Sequence, residues 1–202
     1  MKKFILLTVL SVISIPLLFS QADTLNKTIY SFVPQYLINR GTRVDIEKQI
    51  HGRNFIQICP QFYLSEKEND NFINSKNQFN TLIGGGLAVY HKIFAQEDFK
   101  THGVYFSYGV SYNYFHVEYI DDSGDYELTA KGDIHKFGVD AILGYQFFIN
   151  EVVSIDLYTG LGTRLSYMNA DGSDTDRFNT SYFGYNYTGN VMLLGFRIGI
   201  LF

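Results

Sequence analysis

The chain is short of several things, and each shortage excludes something. It has one cysteine, Cys59, so no disulfide can form within it. It has only three prolines and no tryptophan in 202 residues. Beyond residue 22 no apolar run approaches the ~20 residues of a transmembrane helix. That part of the chain also shows no helical hydrophobic period, no repeat of solenoid length and no composition break marking a second domain. Positive charge is in deficit, with 16 Lys and Arg against 20 Asp and Glu, which argues against nucleic acid as a partner. A helical membrane protein and a disulfide-stapled secreted domain are therefore excluded.

What the chain does have begins with an export signal. Met1-Lys2-Lys3 is followed by an almost wholly apolar stretch from Phe4 to Phe19, then by Ser20-Gln21-Ala22. A basic start, an apolar stretch and small residues predict a secretory signal peptide over 1–22, leaving 23–202 as one domain. Sixteen residues is short for a helical anchor. Losing Lys2 and Lys3 makes the mature chain two charges more negative than the −4 of the whole. Tyr and Phe are plentiful, at 16 and 18. Tyr in such quantity suits a membrane interface, where the ring can be half wet.

The last thirteen residues show the organising pattern. Met192, Leu194, Phe196, Ile198, Ile200 and Phe202 recur at every second position, and all are large and apolar. Between them stand Val191, Leu193, Gly195, Arg197, Gly199 and Leu201, a set that accepts a full charge. Period two means a strand with two different faces. The same alternation predicts eight strands, at about 29–38, 42–50, 55–64, 81–95, 104–119, 134–149, 152–168 and 190–202. In the first, Tyr30, Phe32, Pro34, Tyr36 and Ile38 are expected on the apolar face, with Pro34 a weak point because proline cannot donate to a ladder. The links at His51, Gln96 and Asn150 are short or middling, while 65–78, 121–133 and 169–189 are long. Short turns on one side and long loops on the other, with an even strand count, predict an all-β, eight-stranded, antiparallel up-and-down transmembrane barrel. Such a barrel leaves no backbone edge for lipid to satisfy.

The alternation also assigns the lumen. Arg43, Lys92, Lys136, Arg164 and Arg197 fall on the inward set, with Asp45, Glu47, Asp140 and Asp156. Eight strands leave room only for side chains inside. Charges of both signs at this density predict an ion-paired plug, since an unpaired charge there would cost several kcal/mol.

An export signal, eight alternating segments and a C-terminal Phe202 with Ile200 two before it resemble the small outer-membrane barrels of the OmpX and OmpA-barrel type. The resemblance covers 23–202. It implies a monomer in the bacterial outer membrane, surrounded by lipid and lipopolysaccharide. It also implies that the assembly machinery reads Phe202 and Ile200. The chain departs from that pattern at Arg197, where the family often has glycine. The stretch Tyr36-Leu-Ile-Asn-Arg-Gly-Thr-Arg-Val-Asp-Ile-Glu47 further resembles outer-membrane barrels of Bacteroides-type bacteria.

Candidate chemistry is thin. Gly84-Gly85-Gly86 lacks the Lys-Ser/Thr and the helix of a phosphate loop. His116 and Glu118 share an outward face, as a lipid A-modifying enzyme would need, but the one nearby serine, Ser111, is on the inward face. Asp171-Gly-Ser-Asp174-Thr-Asp176 spaces carboxylates as calcium loops do but lacks the glycine and closing glutamate. Cys59 reads as a small packed residue. No cofactor, metal or catalytic residue is expected. The expected role is structural or interactive, through long outer loops in which Tyr126, Phe178, Tyr182, Phe183, Tyr185 and Tyr187 contact an extracellular ligand or host surface. A small channel or transporter, and a lipid A-modifying enzyme, are the alternatives.

Overall fold

Where strands close on themselves, alternate side chains must point into the lumen or away from it. The computed structural model describes residues 28–66, 80–96, 102–121, 128–172, 178 and 184–202, and its strands obey this rule. Residues 1–22, expected as the signal, lie outside the described set, as do Tyr126, Tyr182 and Phe183. Eight antiparallel strands form one closed barrel in chain order, with β8 returning beside β1. They are β1 (Thr28–Phe32), β2 (Gly41–His51), β3 (Asn54–Glu66), β4 (Thr81–Phe94), β5 (Gly103–Asp121), β6 (Leu128–Ile149), β7 (Val153–Ala170) and β8 (Gly189–Leu201). Phe202, the tight links at 52–53 and 150–152, the end of β4 and the start of β5 share one end of the barrel, called here the lower end.

The barrel is inside-out relative to a soluble one. On β5, Val104, Phe106, Tyr108, Val110, Tyr112 and Tyr114 are exposed, while Tyr105, Ser107, Ser111 and Asn113 between them are buried. Arg43, Asp45, Glu47, Lys92, Asp140, Asp156 and Arg197 are all buried in the lumen. Aromatic clusters bracket this charged middle. Phe55, Tyr90, Phe94 and Tyr105 form one, and Tyr63, Phe115, Tyr119 and Phe178 the other.

Two elements differ from the sequence expectation. The first strand ends at Phe32, and Pro34–Asn39 forms a 3-10 helix with the proline in its first turn. Proline has no N–H for a ladder, and its fixed φ suits the start of a helix. The helix puts Leu37 and Ile38 outside, and Tyr36 swings inward, where Arg43 Nη1 donates to its hydroxyl at 2.9 Å. At the other correction, the loop expected over 121–133 is mostly strand. β6 begins at Leu128, and the β5–β6 ladder runs unbroken to Asp121↔Leu128. Cross-strand pairing thus continues well above the outer apolar belt.

Glycines on the inner face make room for large rings. A Cβ on Gly144 would stand 2.6 Å from Tyr105 Cε1. That ring cannot swing away, because it is wholly buried and its hydroxyl donates to Asp156 Oδ1 at 2.6 Å. Gly144→Val is expected to destabilise the barrel by about 1–3 kcal/mol. A lowered urea midpoint by circular dichroism would register it, and an unchanged midpoint would contradict the packing.

Candidate functional site

Five strands, β2, β4, β6, β7 and β8, bring the charged centre together. Asp156 on β7 and Arg197 on β8 are cross-strand partners. Arg197 Nη1 donates to Asp156 Oδ2 at 2.9 Å, and its Nε lies 3.0 Å from Asp45 Oδ2 on β2. The Nε contact is ionic, without the angle of a hydrogen bond. The guanidinium also lies 4.3 Å from the centre of the Tyr158 ring. Asp45 further accepts from Arg43 Nε at 2.5 Å and from Gln57 Nε2 at 3.0 Å. On the opposite wall, Lys92 Nζ reaches Glu47 Oε2 at 2.7 Å, Asp156 Oδ2 at 3.4 Å and the Gln146 side-chain carbonyl, under the Tyr105 ring at 4.0 Å. Asp140 on β6 accepts from Tyr90 Oη at 2.8 Å and from Arg164, whose Nη2 stands 3.2 Å away. Each of these charges has an opposite partner, as burial requires.

Lys136 does not follow this pattern. Its Nζ donates to the Gly184 carbonyl at 2.8 Å, and among the described residues no carboxylate pairs with it. It stays half-buried because it faces a cavity of about 250 Å³ in the upper lumen. Arg43, Tyr90, Asn113, Arg164 and Arg197 share that lining. The lumen therefore keeps an open space, where the sequence predicts one filled by side chains.

The upper end is capped by part of the last long link. Tyr185 packs edge-on to Phe115 at 5.0 Å between ring centres, and its hydroxyl donates to the Asn39 carbonyl at 3.2 Å. Phe178 is wholly buried against Tyr119, at 5.2 Å. Both rings are among the residues expected to make outer contacts. They instead face inward, where burial of a large ring is more favourable than leaving it in water. Tyr187, half-buried, donates to the Asn190 carbonyl at 3.1 Å.

On the outside, above the apolar belt, His116 Nδ1 and Tyr114 Oη each meet Asp133 Oδ1, at 2.8 and 2.7 Å. These bonds, from Tyr114 first and then His116, hold the Asp133 carboxyl below its ordinary range. Lys131 forms a 2.8 Å pair with Glu118 and lowers that carboxyl in the same way. Among the described residues no serine bonds to His116. Nor does any group of three His, Cys, Asp or Glu among them suit a metal ion. Asp174 and Asp176 lie outside the described residues. Cys59 is a buried free thiol.

Tyr105 is a lumen residue that sequence reasoning left unnamed. It sits two before Ser107, in phase with inward neighbours, so the alternation could have found it; the same alternation places Tyr158, two after Asp156, on the inner face. Tyr36 could not be found that way, because the 3-10 helix breaks the phase and turns it in from the expected apolar face.

No family model matches this chain, and no curated protein matches it. A solved structure similar to it is that of a major outer membrane protein from Thermus thermophilus. The two are 13% identical, with a TM-score of 0.49 over 88% of this chain and 99% of the other.

Proposed function

We propose that the protein is an outer-membrane barrel with an ion-paired lumen, serving a structural or surface-interaction role through the links at its upper end. The observation that supports this reading is the inverted burial. An outer surface of Leu, Val, Ile, Phe and Tyr surrounds a lumen of paired charges. Water would penalise that outer surface, whereas hydrocarbon would accept it. Lipid and lipopolysaccharide are the surroundings this implies, and the assembly machinery is the partner that would read Ile200 and Phe202. Phe202 closes the ring through bonds between its backbone and Thr28, at 2.9 and 3.1 Å, and through its edge-on contact with Tyr30. Phe178 and Tyr185 are packed inward and are withdrawn from this contact set, while Tyr126, Tyr182 and Phe183 lie outside the described residues.

The test has two arms. The purified protein is expected to require detergent or vesicles to remain dispersed, and to carry no steady ion conductance in a planar bilayer. A protein that stays soluble without detergent would refute the membrane reading. Steady conductance would refute the closed lumen and favour the channel alternative. For the loop role, capture of a surface partner should be lost when 169–189 is deleted, and capture that survives the deletion would exclude that loop.

A further inference from the structure

Two recesses meet in the wall of this barrel. The β1–β8 ladder spans only Ile29↔Leu201 to Phe32↔Ile198. β8 continues upward to Gly189 beside β7, but β1 has already ended. The 3-10 helix Pro34–Asn39 stands in the gap. The polar cavity of the upper lumen reaches this place. It is lined by Val191 and Leu193 from the inner face of β8 and by Met192 and Leu194 from the outer face. One cavity can touch both faces of a strand only at the strand's edge. Outside, a shallow, open groove runs over Leu143, Leu157, Leu194 and Phe196 and is almost wholly apolar. Gln35, Tyr158 and Leu194 line both recesses. Gly195 thins the wall between them, since a Cβ there would collide with the Gln35 amide and stand 2.5 Å from Tyr158 Oη.

The chemistry at this junction is incomplete. Hydrocarbon offers a strand edge no hydrogen bonds. Gln35 Nε2 donates to Tyr158 Oη at 2.6 Å, yet its Oε1 is buried without a partner. Deeper in, Lys136 is the one lumen base with no carboxylate among the described residues. The other inward bases of the strands, Arg43, Lys92, Arg164 and Arg197, each meet a carboxylate, so Lys136 stands apart.

We propose that the gap between β8 and the 3-10 helix is a lateral portal for a free long-chain fatty acid. The carboxylate enters past Gln35 and Tyr158 toward Lys136, and the chain lies in the outer groove against Leu194, Leu157 and Leu143. A single lysine without a carboxylate among the described residues matches a carboxylate better than a doubly charged phosphate monoester, and one groove matches one chain better than two. This rests on the membrane reading above.

The test uses the full barrel in vesicles of neutral phosphatidylcholine. The probes are a long-chain fatty acid with a photoreactive group near its methyl end and the matched fatty alcohol. The acid is expected to label residues 190–197, saturably and in competition with unlabelled acid, and the alcohol only weakly. Lys136→Met should weaken acid labelling about tenfold or more, as loss of a charged hydrogen bond implies. Leu194→Trp, at a position 77% exposed, should block the groove and bring labelling to background. A heat-dependent shift in gel mobility checks that each variant folds, and either variant alone suffices. Equal labelling by acid and alcohol, or labelling unchanged in the folded variants, would overturn the portal and leave the barrel reading intact. Failure of the protein to float with the vesicles would overturn both.

Discussion

Arg197→Met is expected to cost the barrel about 3–5 kcal/mol, because it leaves two buried carboxylates without their shared cation. Arg197 is 1% exposed and stands between Asp45 and Asp156, at 3.0 and 2.9 Å. Asp45 would keep Arg43, and Asp156 would keep only the longer 3.4 Å contact from Lys92. The Tyr158 ring would also lose the guanidinium above it. Arg197→Lys separates charge from shape. A lysine restores the charge, but as a single point it cannot span two acids as the planar fork does. It should recover part of the loss and no more. Urea titration in vesicles, followed by circular dichroism and gel mobility, measures both variants. If Arg197→Met lay within about 0.5 kcal/mol of the parent, the range of an ordinary surface substitution, the ion-paired plug would have to be abandoned.

Lys92→Met should produce a loss of similar size, about 3–5 kcal/mol, by the same mechanism on the opposite wall. Lys92 is wholly buried and, among the described residues, is the one cation paired with Glu47, through Oε2, while Oε1 has no hydrogen-bond partner. A second change tells pairing apart from packing. In Lys92→Met with Glu47→Gln, the stranded acid is gone, and Asp156 still holds Arg197. The double variant should therefore be more stable than Lys92→Met alone, with a coupling energy of about 0.5–3 kcal/mol. If the two losses simply added, Lys92 would be acting through its packing under Tyr105 and Phe94 rather than through Glu47.

How legible the site was depended on the residue. Arg43, Asp45, Glu47, Lys92, Asp140, Asp156 and Arg197 each share the parity of the polar set in their strand, so their common side of the sheet follows from period two even where His91, Lys48 or Ile142 departs from the pattern. Lys136 shares that side, yet its different treatment could not be read, because its neighbour is the Gly184 carbonyl of a distant link. Phe178 and Tyr185 lie in a stretch with no alternation, and nothing local says that these rings turn inward onto Tyr119 and Phe115. Pro34 was visible as a weakness. That it would start a helix, and so leave the upper edge of β8 to a different neighbour, depended on what that strand does more than 150 residues later.

The sequence by itself determined the number of strands, their antiparallel order and the sign of each face, because a residue's side of a strand depends only on its parity along the chain. The tertiary structure decided which acid each base meets, where the lumen keeps an empty space and where the wall is thin. Those depend on the stagger with which eight strands close. Asp45 lies about 150 residues from Arg197, and only a ring that brings β8 back beside β1 puts the two 3.0 Å apart.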